Sequence, residues 1–249
     1  MGAKRSARLF AALTALAAWQ LAAMAVGNGL LLASPIRVLG RLWELLGEPG
    51  FLRTVLFSLL RIAAGFFCGF AVSAVLAAIA GRFPAAEVFL HPYFAAIKTV
   101  PVASVIILCL VWMSVEMLSA FVAFLMVLPI LYANLLQGIR AADRELTEMA
   151  RCYHIPPLRR LGYIYLPSVK PYLLSGCSSA LGLSWKAGVA AEVIGMAGGS
   201  VGERLYQAKI YMQTAELFAW TVVIVAVSVF FEKTVLWVIR LAFSGWERR

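Results

Sequence analysis

The sequence predicts an all-α membrane protein with about six transmembrane helices. Apolar residues make up 63% of its 249 residues and charged residues only 14%, against roughly 45–50% and about 25% in soluble domains. The apolar residues also form runs long enough to cross a bilayer, which requires about 20 residues in a helix. With no internal repeat visible, we predict one transmembrane domain over residues 1–249.

The net charge of +10 has a topological explanation. In a soluble protein such a charge would suggest a nucleic-acid partner. Here the basic residues lie mainly at the ends of apolar runs, as expected beside a lipid bilayer, so no nucleic acid is expected. The cysteines are far apart in the chain and suggest neither a disulfide framework nor a metal site: Cys68, Cys109, Cys152 and Cys177.

The N-terminal apolar run is interpreted as the first span, at about residues 9–32. It is longer than the roughly 7–15 apolar residues of a signal peptide. The following segment, 34–53, has apolar residues at helical spacing with Arg37, Arg41 and Glu44 between them. Such an amphipathic segment is expected to lie along the membrane interface.

Five further spans are predicted by the apolar runs. Pro84 ends the second, and a short polar segment around residues 114–116 separates the third from the fourth. A Gly-rich, more polar segment separates the last two. The predicted spans are about 54–80, 91–113, 118–137, from just after Pro167 to 194, and 217–238.

Six spans place both termini on one side, and the positive-inside rule selects the cytoplasm. The outer segments would then hold Arg37, Arg41, Arg53, Arg204 and Lys209. The larger cytoplasmic set would be Lys4, Arg5, Arg8, Arg82, Arg140, Arg144, Arg151, Arg159, Arg160, Lys170, Arg240, Arg248 and Arg249. The polar stretch 143–167 is therefore predicted to be cytoplasmic.

The first half of that polar stretch has the pattern of an amphipathic helix. Asp143 is a suitable N-cap, and the helix should end near Tyr153 because Ile155 precedes Pro156 and is pushed towards extended backbone. One face is apolar by its i, i+3, i+4, i+7 spacing: Leu146, Met149, Ala150 and Tyr153.

The second half is predicted to be another short helix opened by Pro157. Leu158, Leu161 and Tyr165 fall on one face, and Leu166-Pro167 is expected to end the helix and return the chain to the membrane. On periodicity alone, a pair of interfacial helices resting on lipid explains the pattern equally well.

The residues themselves resemble the signature of ABC importer permeases, which is Glu-Ala-Ala, three residues, Gly, nine residues and Ile-x-Leu-Pro. Here Glu148-Met149-Ala150 is followed at the same spacing by His154 and by Ile164-Tyr165-Leu166-Pro167. Met149 replaces the first Ala and His154 replaces Gly. We expect His154 to take a positive φ after the helix, a conformation in which His is enriched among non-Gly residues.

Other segments resemble the nitrate/taurine/sulfonate branch of this family. They are Ser58–Arg61 with Gly65-Phe66, Pro35, Pro101, the run 185–192 and Gly198–Gly202. The resemblance implies a type I importer permease with a signature core at about 54–243 and a coupling loop at 138–167. It further implies a second permease copy or homologue, two cytoplasmic ATPase subunits and an extracytoplasmic substrate-binding protein as partners.

The resemblance also implies which residues couple the permease to the ATPase: Leu146, Glu148, Met149, Ala150, Tyr153, His154, Ile164, Leu166 and Pro167. The chain itself is not expected to be an enzyme. It contains no Gly-Lys dipeptide and hence no Walker A phosphate loop. ATP and magnesium are therefore expected on the partner subunit and no cofactor on this chain.

Charged residues also lie within or near the ends of predicted spans, and Arg61, Lys98, Lys186 and Glu192 are among them. A charge at a helix centre costs roughly 2.5–3.5 kcal/mol on insertion scales, so each should face protein or water. Arg61 shares a face with Gly65 and Gly69, which form a small-xxx-small packing stripe, and is assigned with Pro101 a structural role. The candidates for the substrate path are Lys98, Lys186 and Glu192, although snorkelling to the interface explains both lysines equally well.

Two alternative function classes have less support from the sequence than an ABC importer permease. A self-contained secondary transporter or channel usually shows internal repeats with matched broken helices, which this sequence lacks. A membrane-embedded enzyme would need a catalytic cluster, and the only histidines are His91 and His154. The sequence leaves the substrate open among a sulfonate, a nitrate-like anion and a small heterocycle, and does not decide between homodimer and heterodimer.

Overall fold

The computed structural model describes residues 2–247, with side chains for residues 7, 10, 11 and 13–244. Arg248 and Arg249 lie outside the described residues, as do the side chains of Lys4, Arg5 and Arg8. The helices, in order, are α1 (Gly2–Val26), α2 (Pro35–Gly47), α3 (Phe51–Arg82), α4 (Pro84–Thr99), α5 (Val102–Cys109), α6 (Val115–Arg140), α7 (Arg144–Cys152), α8 (Pro157–Arg160), α9 (Leu166–Gly195), α10 (Val201–Ile210) and α11 (Thr214–Glu247). A π-helical turn, Leu161–Tyr165, joins α8 to α9.

Helices α3, α6 and α9 form the centre of the molecule because small residues let their backbones approach closely. A Cβ at Gly65 of α3 would overlap the Ala120 carbonyl oxygen of α6, and one at Gly69 would lie 2.9 Å from the Val127 Cγ1. A Cβ at Gly188 of α9 would lie 2.6 Å from the Ile62 Cγ1. The side chains buried between these helices include Phe66, Val127, Leu131, Cys177, Ala180 and Leu181.

The long apolar helices of the structure coincide with most of the spans predicted from the sequence. Within the part of the chain that the structure describes, three helices are long and apolar enough to cross a membrane, namely α3, α6 and residues 214–244 of α11. They correspond to the second, fourth and sixth predicted spans. Helix α9 has 30 residues and covers the fifth. The first predicted span, 9–32, is too long, because α1 ends at Val26. Gly27 then takes a φ of 63°, and the Asn28 side chain accepts a hydrogen bond from the Leu30 amide at 3.0 Å.

The third predicted span, at about 91–113, is not one continuous helix. That region is split into α4 and α5, which meet at an angle of 98°. Pro101 lacks an amide hydrogen and disfavours helical backbone at the residue before it, and Val100 is accordingly extended with a ψ of 130°. Pro84, predicted as a break, occupies the first turn of α4.

Helix α2 is amphipathic, as predicted for segment 34–53, and it packs against α11. Ser34 caps its N-terminus, and Val38 and Leu45 are buried. Arg41 binds Glu216 of α11 at 3.1 Å and Glu48 at 2.8 Å. Burial lowers the pKa of Arg41, but its bonds to Glu44, Glu216 and Glu48 outweigh this and raise it overall, so the guanidinium stays charged.

The close approach of α3 to α6 predicts the effect of Gly65→Ala. The added methyl group overlaps backbone, which cannot rotate away, and overpacking of this kind costs about 1–3 kcal/mol. We expect a lower midpoint of thermal unfolding for the detergent-purified protein. Gly182→Ala in α9 is the matched control, because a Cβ there has nothing within 4 Å and Ala favours helix over Gly. A midpoint for Gly65→Ala at or above that of Gly182→Ala would contradict the assigned contact.

Candidate functional site

The first half of the polar stretch between α6 and α9 folds as its local sequence signals predict. The Asp143 side chain accepts hydrogen bonds from the amides of Glu145 at 2.8 Å and Leu146 at 3.4 Å, capping α7. Helix α7 ends at Cys152, one residue before the predicted end. Its first turn is further fixed by the Thr147 hydroxyl, which donates to the Asp143 carbonyl at 2.7 Å.

His154 adopts the positive φ predicted for it, at 53°. Its amide donates to the Arg151 carbonyl at 3.1 Å, and the Ile155 amide donates to the Ala150 carbonyl at 3.0 Å. These two bonds define a Schellman motif, which satisfies carbonyls left free at a helix end. His154 therefore replaces Gly in the signature without changing the type of turn.

The expectation that Leu166-Pro167 ends the second helix is wrong. Pro157 opens α8 as predicted, but the chain then remains helical through the π turn Leu161–Tyr165 and into α9. The wider turn accommodates Pro167, which would otherwise clash with the carbonyl four residues earlier. The Ser168 hydroxyl donates to the Ile164 carbonyl at 2.8 Å. The loop is thus continuous with a long helix.

The four residues of the apolar face predicted for α7 differ in their exposure to solvent. Leu146, Met149 and Tyr153 are 45%, 48% and 77% exposed, whereas Ala150 is 1% exposed. Ala150 therefore packs inside this chain, and a charge introduced there would disturb the loop's own fold. Among the other residues assigned to the coupling element, Glu148, His154 and Pro167 are exposed, and Ile164 and Leu166 are partly buried.

The three residues assigned to the substrate path lie in different environments. Lys98 lines a cleft of about 350 Å³ between α4 and α6. Lys186 is exposed on α9. Glu192 is fully buried near the end of α9, so the structure does not bring these three residues to one surface.

Glu192 belongs to a hydrogen-bond network that joins α3, α9 and α10. Its Oε2 accepts from the Ser58 hydroxyl at 2.7 Å and from the Gly202 amide at 3.3 Å. The Ser58 oxygen in turn accepts from the Val201 amide at 2.9 Å. A carboxylate at the first turn of α10 is favoured by the free amides and the dipole of that helix.

The surroundings of this network bear on Arg61, which was assigned a structural role, and on Gly202, which was not. Arg61, one turn from Ser58, interacts electrostatically with Glu192, and its guanidinium lies 3.7 Å from the centre of the Phe57 ring. A Cβ at Gly202 would overlap the Glu192 side chain. Gly202 is thus required by the approach of α10 to α9, whereas the sequence analysis named it only as part of a family resemblance.

Other polar groups at the α4–α6 cleft were not singled out from the sequence. Glu87 and Arg140 form a two-bond ion pair between α4 and α6, with the Arg140 Nη1 2.9 Å from the Glu87 Oε1. The ring of Tyr132 packs against that of Phe94 in a tilted arrangement, with ring centres 4.3 Å apart. In the sequence, Glu87 and Arg140 are recognisable only as charged residues near the ends of apolar spans. This pattern does not show that they pair with each other.

The family model that matches residues 53–242 is described as the binding-protein-dependent transport system inner membrane component. This match covers well over half of the chain. The chain belongs to this family. It is accordingly a multi-pass inner-membrane permease of ABC transport, which decides against the two alternatives, a self-contained transporter and a membrane enzyme, that the sequence left open.

Curated relatives support the same branch. The permease protein SsuC of Bacillus subtilis, named for aliphatic sulfonates transport, is 27% identical over 85% of this chain and 77% of its own. The bicarbonate transport system permease protein CmpB of Synechococcus elongatus is 24% identical over 78% and 70%. The nitrate import permease protein NrtB of Synechocystis is 27% identical over 72% and 68%.

Replacing Ser58 tests the buried network. Ser58→Ala leaves the Val201 amide without its acceptor and removes a donor from Glu192, and buried groups left unsatisfied cost about 1–3 kcal/mol. We expect a lower thermal midpoint in detergent. Ser179→Ala, at an exposed position of α9, should leave the midpoint unchanged. Equal midpoints for the two variants would show that the network contributes nothing to stability.

Proposed function

We propose that this chain is the permease subunit of an ATP-driven importer, with six spans and both termini in the cytoplasm. In this proposal it forms the substrate path, and segment 138–167 couples that path to a separate ATPase subunit. The observation that carries the proposal is the continuity of helix from Pro157 to Gly195. At 1.5 Å per residue this is roughly 60 Å, about twice the thickness of the hydrocarbon core.

The coupling is proposed to be mechanical. The exposed side chains Leu146, Met149 and Tyr153 would seat in a groove of the ATPase, and movement of α7 would pass to α9 through α8. Shifting a two-state path from 1:99 to 99:1 requires roughly 5.5 kcal/mol of differential binding. Nucleotide-dependent docking of a short amphipathic helix is a suitable source of that free energy.

The remaining partners follow from the family. An extracytoplasmic binding protein would deliver the substrate, and a second permease copy or homologue would complete the path. ATP and magnesium would be held by the ATPase subunits. The relatives are named for sulfonates, bicarbonate and nitrate, so we propose a small anionic solute as substrate.

Cys152 provides a native reporter for the position of the loop. It is exposed next to Tyr153. We expect a membrane-impermeant maleimide to label it in inside-out vesicles and not in right-side-out vesicles, with Cys68→Ser removing the other exposed thiol. Co-expression of the ATPase subunit should protect it. Labelling from the outer side would contradict the proposed topology, and labelling unaffected by the ATPase would contradict the proposed docking surface.

Met149 tests the docking face directly. Met149→Asp places a carboxylate in an interface expected to exclude water, where truncating a central residue costs more than 1 kcal/mol. We expect substrate-stimulated ATPase activity of the reconstituted complex to fall about tenfold, equivalent to about 1.4 kcal/mol. Met149→Leu keeps the side chain apolar and should retain activity. If both variants behave like the wild type, Met149 does not contact the ATPase.

A further inference from the structure

The cleft between α4 and α6 combines an apolar floor with polar side chains from both helices. Its volume is about 350 Å³, within the range of small-ligand pockets. The polar lining consists of Glu87, His91 and Lys98 from α4 and of Tyr132, Gln137 and Arg140 from α6. The cleft is therefore large enough for a small solute and rich in hydrogen-bond donors.

The charges that line the cleft leave it net positive. The carboxylate of Glu87 is held by the guanidinium of Arg140 through two hydrogen bonds, so these two charges compensate each other at one end. Lys98 lies two turns of α4 beyond His91, and no carboxylate among the described residues forms an ion pair with it. An uncompensated ammonium group favours an anion.

The Tyr132 hydroxyl is a second, independent indication of a ligand. Tyr132 is only 6% exposed, and its hydroxyl has no hydrogen-bond partner among the residues that the structure describes. The ring of Phe94, packed against that of Tyr132, restricts the orientation of the Tyr132 side chain. A buried donor left unsatisfied is costly, and this one borders the cleft.

The backbone at the far end of the cleft is irregular. Helix α4 ends at Thr99, one residue beyond Lys98, and α5 leaves at 98°. At membrane depth, such a break is tolerated only where it is buried in protein or lines a water-filled cavity. The break lies beside Lys98, at one end of the cleft, which is the arrangement expected of a water-filled cavity.

We infer that this cleft is a binding subsite for a small oxyanion on its way through the permease. The Lys98 ammonium supplies the charge, and the Tyr132 hydroxyl donates a hydrogen bond to an oxygen of the anion. The Glu87–Arg140 pair closes the end of the cleft nearest the ends of α3 and α6. This assignment rests on the proposed transport function and adds to it the residues that select the sign of the solute's charge.

The test uses a cysteine in the cleft of the full chain, in membrane vesicles. Ala95 lines the cleft, so Ala95→Cys is introduced after Cys68, Cys109, Cys152 and Cys177 are replaced by Ser. Two methanethiosulfonate reagents of similar size are compared, one with a sulfonate group and one with a trimethylammonium group. We expect Lys98→Gln to lower the ratio of the anionic to the cationic rate about fivefold, whereas Lys98→Arg and the distant Lys209→Gln leave it unchanged.

Protection from labelling tests the hydroxyl. Methanesulfonate should slow the labelling of Ala95→Cys and choline should not. Tyr132→Phe should raise the methanesulfonate concentration needed about fivefold, as expected for one lost hydrogen bond. Tyr93→Phe, at an exposed position of α4, should have no effect.

Three results would overturn the inference: no reaction with either reagent, a rate ratio independent of Lys98, or equal protection by methanesulfonate and choline. Each of these results can be obtained with the permease alone, without the ATPase. They therefore test the binding subsite separately from the proposed coupling to the ATPase. A permease that does not assemble with an ATPase yet retains the Lys98-dependent ratio would refute only the coupling proposal.

Discussion

The close packing of α6 against α3 and α9 is the constraint on which the rest of the structure depends. Apolar side chains gain little by moving from lipid into a helix contact, so helices in a bilayer are held by dense packing and by hydrogen bonds. Glycines supply the packing: a Cβ at Gly138 of α6 would lie 2.9 Å from the Val169 Cα, and one at Gly176 of α9 would lie 2.8 Å from the Asn134 Cβ. The Ser73 hydroxyl adds a bond from α3 to the Leu128 carbonyl at 2.9 Å.

The two ends of α9 have different surroundings: buried hydrogen bonds hold one end, and an exposed loop follows from the other. Near Gly195, Glu192 is bound by Ser58 and by the first turn of α10, with both contacts fully buried. At the other end the helix extends past Pro167 through the π turn into a loop whose Met149 and Tyr153 are exposed. One end is thus secured within this chain, and the other carries exposed apolar side chains.

Structural features that depend on neighbouring residues could be predicted from the sequence, whereas contacts between residues far apart in the chain could not. The Asp143 cap, the α7 terminus and the positive φ of His154 depend on a few neighbouring residues, and all were predicted. Whether a proline is accommodated, as at Pro167, or breaks the helix, as at Pro101, depends on tertiary surroundings. Likewise, periodicity placed Ala150 and Met149 on one face but could not show that only Ala150 is buried. The contact between Glu192 and Ser58 joins residues 134 positions apart, which no local pattern specifies.

Pro167 is accommodated in the continuous helix that leads into α9, which suits α9 to transmit force. Pro101 breaks the helix between α4 and α5, beside the cleft proposed to bind solute. Helix α6 packs against both α9 and α4. Along α9, the backbones of α6 and α9 approach closely at Gly138 and Gly176, so a shift of α9 towards α6 would press directly on α6. Across the cleft, α4 is tied to α6 by the Glu87–Arg140 pair at one end and is broken at Pro101 at the other. Exposed ion pairs contribute only about 0–1 kcal/mol, so this contact can yield where the glycine contacts cannot. Movement of the coupling loop would therefore change the width of the cleft between α4 and α6 before it disturbed the central packing.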